Sequence, residues 1–458
     1  MAVGTGFLLA AWGAQVVAGR RPVARFPARI GWTFHAFCGV LLWAVFQTLP
    51  YSPEAMHHPL WGEAARAMDA PYWGAVTVDP SASWQSIARL VTYAAVFWLA
   101  AQFGRGASHA STALQAVALA AAGYAAYGLV VEFAGANKIL WFDKTSYFDV
   151  VTATFVNRNS FATFAGLGLL CASAVLHRRL AAGAAVGGYP LSWRDRLGEL
   201  IKERLPRSGL FLGAWLVLAT ALLLTESRGG VLATVAGVAV FFGAAEVSRY
   251  RQGSGAVAPS DASGRTRHPK GRARRDRRRG SLGGIAALAV VAATVFGISG
   301  GPLQERMWRV GVDSEHRSTI YRHTADAIRD APLKGTGLGT FGSVFDLYGT
   351  QDVGPGVAMA HNDYLEVALE LGIPAAVVLV AALGALAVNC GIGAIGQRDP
   401  AVPAVGLAAC VLVGVHALVD FSLQLPGVAA TFALVLGAAV GQCYPTSGER
   451  PARPRASP

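Results

Sequence analysis

Charge is scarce in this sequence. Only 14% of its 458 residues are Asp, Glu, Lys or Arg, against 53% that are hydrophobic, and the mean hydropathy is +0.41. A chain of this length with so little charge cannot coat a water-soluble domain. Cysteine is scarce too. Cys38, Cys171, Cys390, Cys410 and Cys443 are scattered, mostly inside apolar runs, and no CxxC pair occurs, which excludes a zinc site or a disulfide framework read from spacing. The polar stretches hold no carboxylate cluster suited to a divalent cation, so no metal and no cofactor is expected. The first apolar run has neither a basic leading region nor a clear small-residue cleavage site, and is not read as a signal peptide. No internal repeat is visible.

What the sequence does have is long apolar runs. They fall at about 3–18, 31–49, 85–102, 112–131, 159–176, 209–225, 229–246, 283–299, 363–388, 401–420 and 427–443, each near the ~20 residues that cross a bilayer as a helix. Glycine numbers 54, as suits helices that pack closely in lipid. The expectation is an all-α polytopic membrane protein with about 11–12 transmembrane helices and a large, partly helical outer loop. Residues 1–150 form N-terminal transmembrane helices and 151–445 a core, with a disordered tail at 446–458.

The net charge of +12 could suggest nucleic acid, but its distribution points elsewhere. Alternate loops at 19–30, 103–111, 177–208, 247–282, 389–400 and beyond 443 hold 27 of the 39 Lys and Arg, whereas the opposite set at 50–84, 132–158, 226–229 and 300–362 holds 11. By the positive-inside rule the first set is cytoplasmic and the second faces out. This asymmetry explains the basic balance with no nucleic-acid partner. The piece LSWRDRLGELIKERL and the run RHPKGRARRDRRRG are read as contacts with anionic membrane lipids. Eleven spans with a cytoplasmic tail put Met1 outside, so either a helix is missing at the start or the first run is not a full span.

The polar stretch 300–362 stands out against this background. With its flank it gathers Arg306, Arg309, Arg317, Arg322, Arg329, Lys334, His316, His323 and His361, and a long loop in an otherwise oily chain points to chemistry or binding. Asp313 or Ser314 is placed to cap a helix that Pro332 ends near Asp330. On that helix Arg317, Tyr321, Thr324 and Ile328 share a face, whereas Arg322 lies about 140° around from Arg317. KGTGLGTF follows a helix rather than a strand and lacks GKS/T, so it reads as a tight backbone turn and not a nucleotide site. Asp363 with Glu366 is read as a capping box. That puts His361 just ahead of a helix N-terminus, whose dipole favours the neutral imidazole a general base needs. The alternative for His361 is a capping or interfacial residue. Asn157, Arg158 and Asn159 read either as helix-capping groups or as substrate ligands. Arg228, at the tip of the TESRGG turn that its glycines permit, either snorkels to headgroups or binds an anion.

Taken together, TESRGG (225–230), RSTIYR (317–322), IRDAPLKGTGLGTF (328–341) and HNDYLEVALELG (361–372) resemble the O-antigen ligase and O-antigen polymerase family of bacterial envelope proteins. TFVNRNSFA (154–162) and HALVDFSLQLP (416–426) are similar to it as well, so the resemblance covers about 150–435. Tyr321 stands where many relatives have Trp, which leaves the assignment of Arg317 intact. The resemblance implies an inner-membrane glycosyltransferase working on the periplasmic side. It would move a glycan from undecaprenyl diphosphate to an acceptor hydroxyl on lipid A-core or a growing glycan, by an inverting, metal-independent route. It also implies His361, Arg228 and Arg317 as catalytic residues. Asn157, Arg158, Asn159, Tyr321, Arg322 and Asp363 are the candidate substrate ligands, and Asp363 could also orient the imidazole. Two other readings stand beside this: a transporter of a small anion, and a protein O-oligosaccharyltransferase of the same family.

Overall fold

The computed structural model describes residues 1–20, 23, 26–69, 73–181, 205–254, 311–348, 357–397 and 399–444. The amphipathic piece before residue 205, the run at 283–299, most of the basic loop 247–282, Arg306, Arg309 and the tail lie outside the described residues.

The described helices are α1 Ala2–Val17, α2 Ala28–Gln47, α3 Pro59–Met68, α4 Pro80–Phe103, α5 Ala107–Phe133, α6 Arg158–Ala181, α7 Leu205–Leu224, α8 Arg228–Ser254, α9 Gly311–Asp330, α10 Phe341–Tyr348, α11 Asp363–Leu371, α12 Ile373–Gly396, α13 Ala401–His416 and α14 Pro426–Cys443. Seven of them, α2, α4, α5, α6, α8, α12 and α14, are long and apolar enough to cross a membrane, and α1, α7 and α13 are shorter apolar helices. The chain is an all-α multi-pass membrane protein. Among the described residues the β structure is one antiparallel pair, β1 Lys138–Ile139 with β2 Phe142–Asp143.

Burial orders the bundle. In α6, 89% of the apolar window is buried, against 28% in α2, α4 and α12, so α6 is the central post and those three stand at the periphery. A helix that is apolar all round can occupy that centre. α5, α7, α8 and α13 pack around it, and α14 lies along α4. Small residues let those last two backbones close up, since a Cβ on Gly441 would sit 2.6 Å from the Ala101 carbonyl oxygen.

Hydrogen bonds gather the connections at two opposite ends of the bundle. At one end Gln442 Nε2 donates to the Gly104 carbonyl, Arg105 Nε to the Tyr444 carbonyl and Gln252 Nε2 to the Gln397 carbonyl, and Arg178 pairs with Asp399. At the other, the Val151 N–H reaches the Leu224 carbonyl, Asn159 meets Asp420, and Gln47 reaches the carbonyls of Lys334 and Glu370. These are the basic and the acid-rich loop sets that the sequence separates.

Two expectations about local structure are corrected. The run 363–388 is not one helix, because Gly372, with φ +81°, breaks it into α11 and α12. The break is tight, since a Cβ there would strike the Leu333 carbonyl, and Pro374 starts α12 where its missing N–H costs nothing. α9 begins at Gly311, so Asp313 and Ser314 lie inside its first turn and do not precede it.

Candidate active site

The TESRGG turn shows how the site is assembled. The Thr225 hydroxyl donates back to the Leu222 carbonyl, Glu226 takes a left-handed φ of +53°, and Ser227 Oγ accepts from the Gly230 N–H. Ser227 therefore caps α8, and Arg228 is its first residue, exposed at a helix N-terminus. The turn glycines were expected to supply the special backbone conformation. Glu226 supplies it instead, and the glycines serve close packing. A Cβ on Gly229 would meet Val419 at 2.8 Å and His416 at 3.5 Å, and one on Gly230 would collide with Ala162.

The segment after α13 is the hub. Arg317 Nη1, from α9, donates to the Val419 carbonyl at 3.1 Å. Asp420 is buried and accepts a short bond from Asn159 Nδ2. Burial raises the Asp420 carboxyl, opposed by the Phe421 N–H and by the charges of His416 and Arg317. Phe421 meets the His361 ring edge-on at 4.8 Å between centroids. Thr163, His416 and Ser422 form a buried polar cluster beneath, with 2.9 Å from His416 Nδ1 to each hydroxyl.

His361 sits on a strained turn. Its φ is +52°, a conformation that costs a non-glycine residue roughly 1–2 kcal/mol. The Tyr321 hydroxyl donates to its carbonyl at 2.8 Å, and burial pushes that phenol's pKa up. Asn362, not Asp363, caps α11, because its Oδ1 accepts from the N–H groups of Tyr364 and Leu365 at 3.0 and 3.1 Å. The cap also docks α11 on the end of α13, whose last carbonyls have no partner within the helix. Leu418 receives Asn362 Nδ2, Ala417 receives the Asp363 N–H, and Gly414 receives the Tyr364 hydroxyl. The expected capping box is thus replaced by an Asn cap, and the Glu366 carboxyl instead accepts from the Ala360 N–H at 2.9 Å.

The glycine-rich run is a tight turn around a protein anion. Gly335, Gly337 and Gly339 all have positive φ, and the turn folds over the end of α11. The Gly337 N–H meets the Glu370 carbonyl at 2.9 Å, and the Phe341 N–H meets Glu370 Oε1 at 3.1 Å. Burial pushes Glu370 up to about 7, while the N–H groups of Gly339, Phe341 and Thr340 oppose the shift. The motif that resembles a phosphate cradle carries its own carboxyl group.

A cleft of about 850 Å³ opens beside His361. Its walls are Ser146, Tyr147 and Thr154–Asn157 from the connection before α6, Ile320 of α9, Val357–Met359, and Phe421 with Leu425–Gly427. Mixed apolar and hydroxyl-bearing walls suit a large amphipathic ligand.

Residues 212–380 match the family model described as O-antigen ligase. The chain carries a domain of the O-antigen ligase family. No curated protein matches the chain. The O-antigen ligase domain contains Arg228, Arg317, Tyr321, Arg322, His361 and Asp363, whereas Asn157–Asn159 and the 416–421 hub lie outside it. The match supports glycan transfer of the O-antigen ligase and polymerase type in general.

The structure distributes the candidate residues unevenly around this cleft. His361 and Asn157 line it. Asn157 Oδ1 also caps α6, accepting from the Asn159 N–H at 2.7 Å. Arg158 stands behind the wall, 3.8 Å from Glu226 and 5.5 Å over the Tyr147 ring. Tyr321 and Arg317 face the hub, whereas Arg322 is exposed and bonds to Thr319 of its own helix at 3.2 Å. Asp363 points into the protein, 3.4 Å from the Leu423 N–H. The sequence reading passed over Val419, Phe421, Glu226 and Tyr147. The HALVDF motif was the available signal for the first two.

Burial pushes Asp363 up to about 8, helped by Asp420 and Glu370 and opposed by the Leu423 N–H. The unfolded chain releases this proton near the ordinary aspartate range, and the folded chain holds it to about 8. Native stability therefore declines as pH rises across that window. Asp363→Asn should remove this part of the decline. Thermal unfolding at about pH 8 should find the variant at least as stable as the native protein; a marked loss would indicate a charged, paired Asp363.

Proposed function

We propose that this protein transfers a glycan from undecaprenyl diphosphate to an acceptor hydroxyl at the periplasmic face of the bacterial inner membrane. The acceptor would be lipid A-core or a growing surface polysaccharide. The observation that carries the reading is the segment 419–421. Arg317 donates to Val419, the glycine after Arg228 packs on Val419, and Phe421 meets the His361 ring edge-on. Two guanidinium-bearing elements and one imidazole thus converge on three consecutive residues beside a large cleft.

Each residue type suits its role. His361 takes the acceptor proton as the acceptor oxygen attacks the anomeric carbon from the face opposite the carrier. The bond from that carbon to the diphosphate oxygen breaks, and undecaprenyl diphosphate leaves with inversion. Negative charge gathers on the leaving diphosphate, and planar guanidinium groups match phosphate oxygens bidentately. Arg228, at the positive end of the α8 dipole, binds charge already present in the donor. Arg317 meets charge that develops as the bond breaks. The arginines supply the positive charge, so the route needs no metal. In this reading 151–445 is the transferase core and 1–150 buttresses it, with the C-terminus in the cytoplasm.

Deleting the gene tests the function. Long glycan chains should vanish from the surface and their precursors accumulate on the lipid carrier; unchanged surface glycan would remove the reading. Sidedness has its own test. In intact cells a cysteine placed near Arg274 should be protected from an impermeant thiol reagent, while one near Gly356 should react. The reverse pattern would take Arg228 and His361 out of the periplasm together.

A further inference from the structure

We propose that Glu366 is a positioning residue for His361, holding the left-handed turn that presents the imidazole to the cleft. The proposal rests on the reading of His361 as the base. The turn at 360–362 is disfavoured locally, because a side chain at positive φ crowds its own backbone, so other groups must hold it. Three do. Tyr321 binds the His361 carbonyl, Asn362 binds the Leu418 carbonyl just past α13, and Glu366 binds the N–H of Ala360, the residue before the histidine. Glu366 is the one of the three that arises within α11 itself and reaches back across the turn.

Its surroundings argue against a direct role with substrate. Glu366 is only 2% exposed, and Ala360 is fully buried. It does not line the cleft. The carboxyl faces Glu370 and Asp363, and burial followed by the Glu370 charge raises its pKa. A group kept neutral in this way can still accept a hydrogen bond, and the Ala360 N–H, shut away from water, needs an acceptor. A second role is conceivable for an acid in the first turn of a helix, namely a charge set against the dipole. The two roles make opposite demands on the side chain. Positioning requires reach and an acceptor oxygen, and the dipole requires charge.

Glu366→Gln keeps reach and an acceptor but cannot ionise. Glu366→Asp keeps an ionisable carboxyl and shortens the reach. Purified in nanodiscs and matched for folded protein by monodisperse elution, the two variants should separate. Glu366→Gln should keep close to the native kcat. Glu366→Asp should lose roughly 10²-fold in kcat, the cost of a base displaced by about an ångström, with donor KM unchanged. Loss in the Gln variant with an active Asp variant would assign the dipole role and overturn the proposal. Native kcat in both, or equal loss in both, would overturn it as well. His361→Ala measured alongside separates the layers. If that variant keeps full turnover, the base reading itself fails; if it is inactive while both Glu366 variants match the native enzyme, only the positioning role fails.

Discussion

Replacing His361 with alanine should lower glycan transfer by roughly 10²–10⁴ while donor binding stays near native. The size follows from what a positioned base contributes, and the split between turnover and binding from where the imidazole sits. His361 meets Phe421 edge-on and lines the cleft, whereas Arg317 and Arg228 stand on other elements. Removing the ring therefore leaves both guanidinium groups in place. Arg228→Ala should behave differently, weakening donor binding as well as turnover, because it meets charge present in the ground state. Equilibrium binding of the lipid-linked donor, set beside single-turnover transfer, measures both halves. Full turnover in His361→Ala would mean that the cleft binds substrate and another group moves the proton.

The second large effect separates two arginines on different faces of one helix. Arg317→Ala should lower kcat by roughly 10²–10³, the usual cost of losing one donor to developing charge. Arg322→Ala should leave kcat nearly native. The Arg317 guanidinium reaches the Val419 carbonyl, between the elements that carry Arg228 and His361, while Arg322 is exposed and bonds to Thr319 within its own helix. Lysine at 317 should rescue only part of the loss, since an ammonium offers a point charge where a planar fork is needed. Comparable losses at both positions, at matched protein levels, would undo the separation.

Much of the fold was legible because apolar runs report lipid-spanning helices directly. The sorting of loops by charge anticipated which helix ends gather together. The division between Arg317 and Arg322 was readable too, since helical periodicity fixes angular position without tertiary information. The break at Gly372 carried a visible signal, a glycine followed two residues later by Pro374, but the surrounding apolar run hid it. The left-handed Glu226 had no such signal, because glutamate does not favour positive φ and nothing in the local sequence marks it. Asp420 stood on the outer face with no evident role, and its partner Asn159 is 261 residues away in sequence. Periodicity cannot supply a pairing of that kind. The Glu370-filled turn was half legible. Its glycines announced a tight turn, but the carboxyl that fills it lies 29 residues beyond Phe341.

The most direct measurement uses the purified native protein in nanodiscs with an undecaprenyl-diphosphate-linked glycan and an acceptor glycolipid, followed with and without EDTA. Release of undecaprenyl diphosphate should match acceptor glycosylation one for one, the new linkage should have the inverted anomeric configuration, and EDTA should leave the rate unchanged. A donor that is bound but never cleaved, or a transfer that stops when divalent metal is removed, would contradict the account.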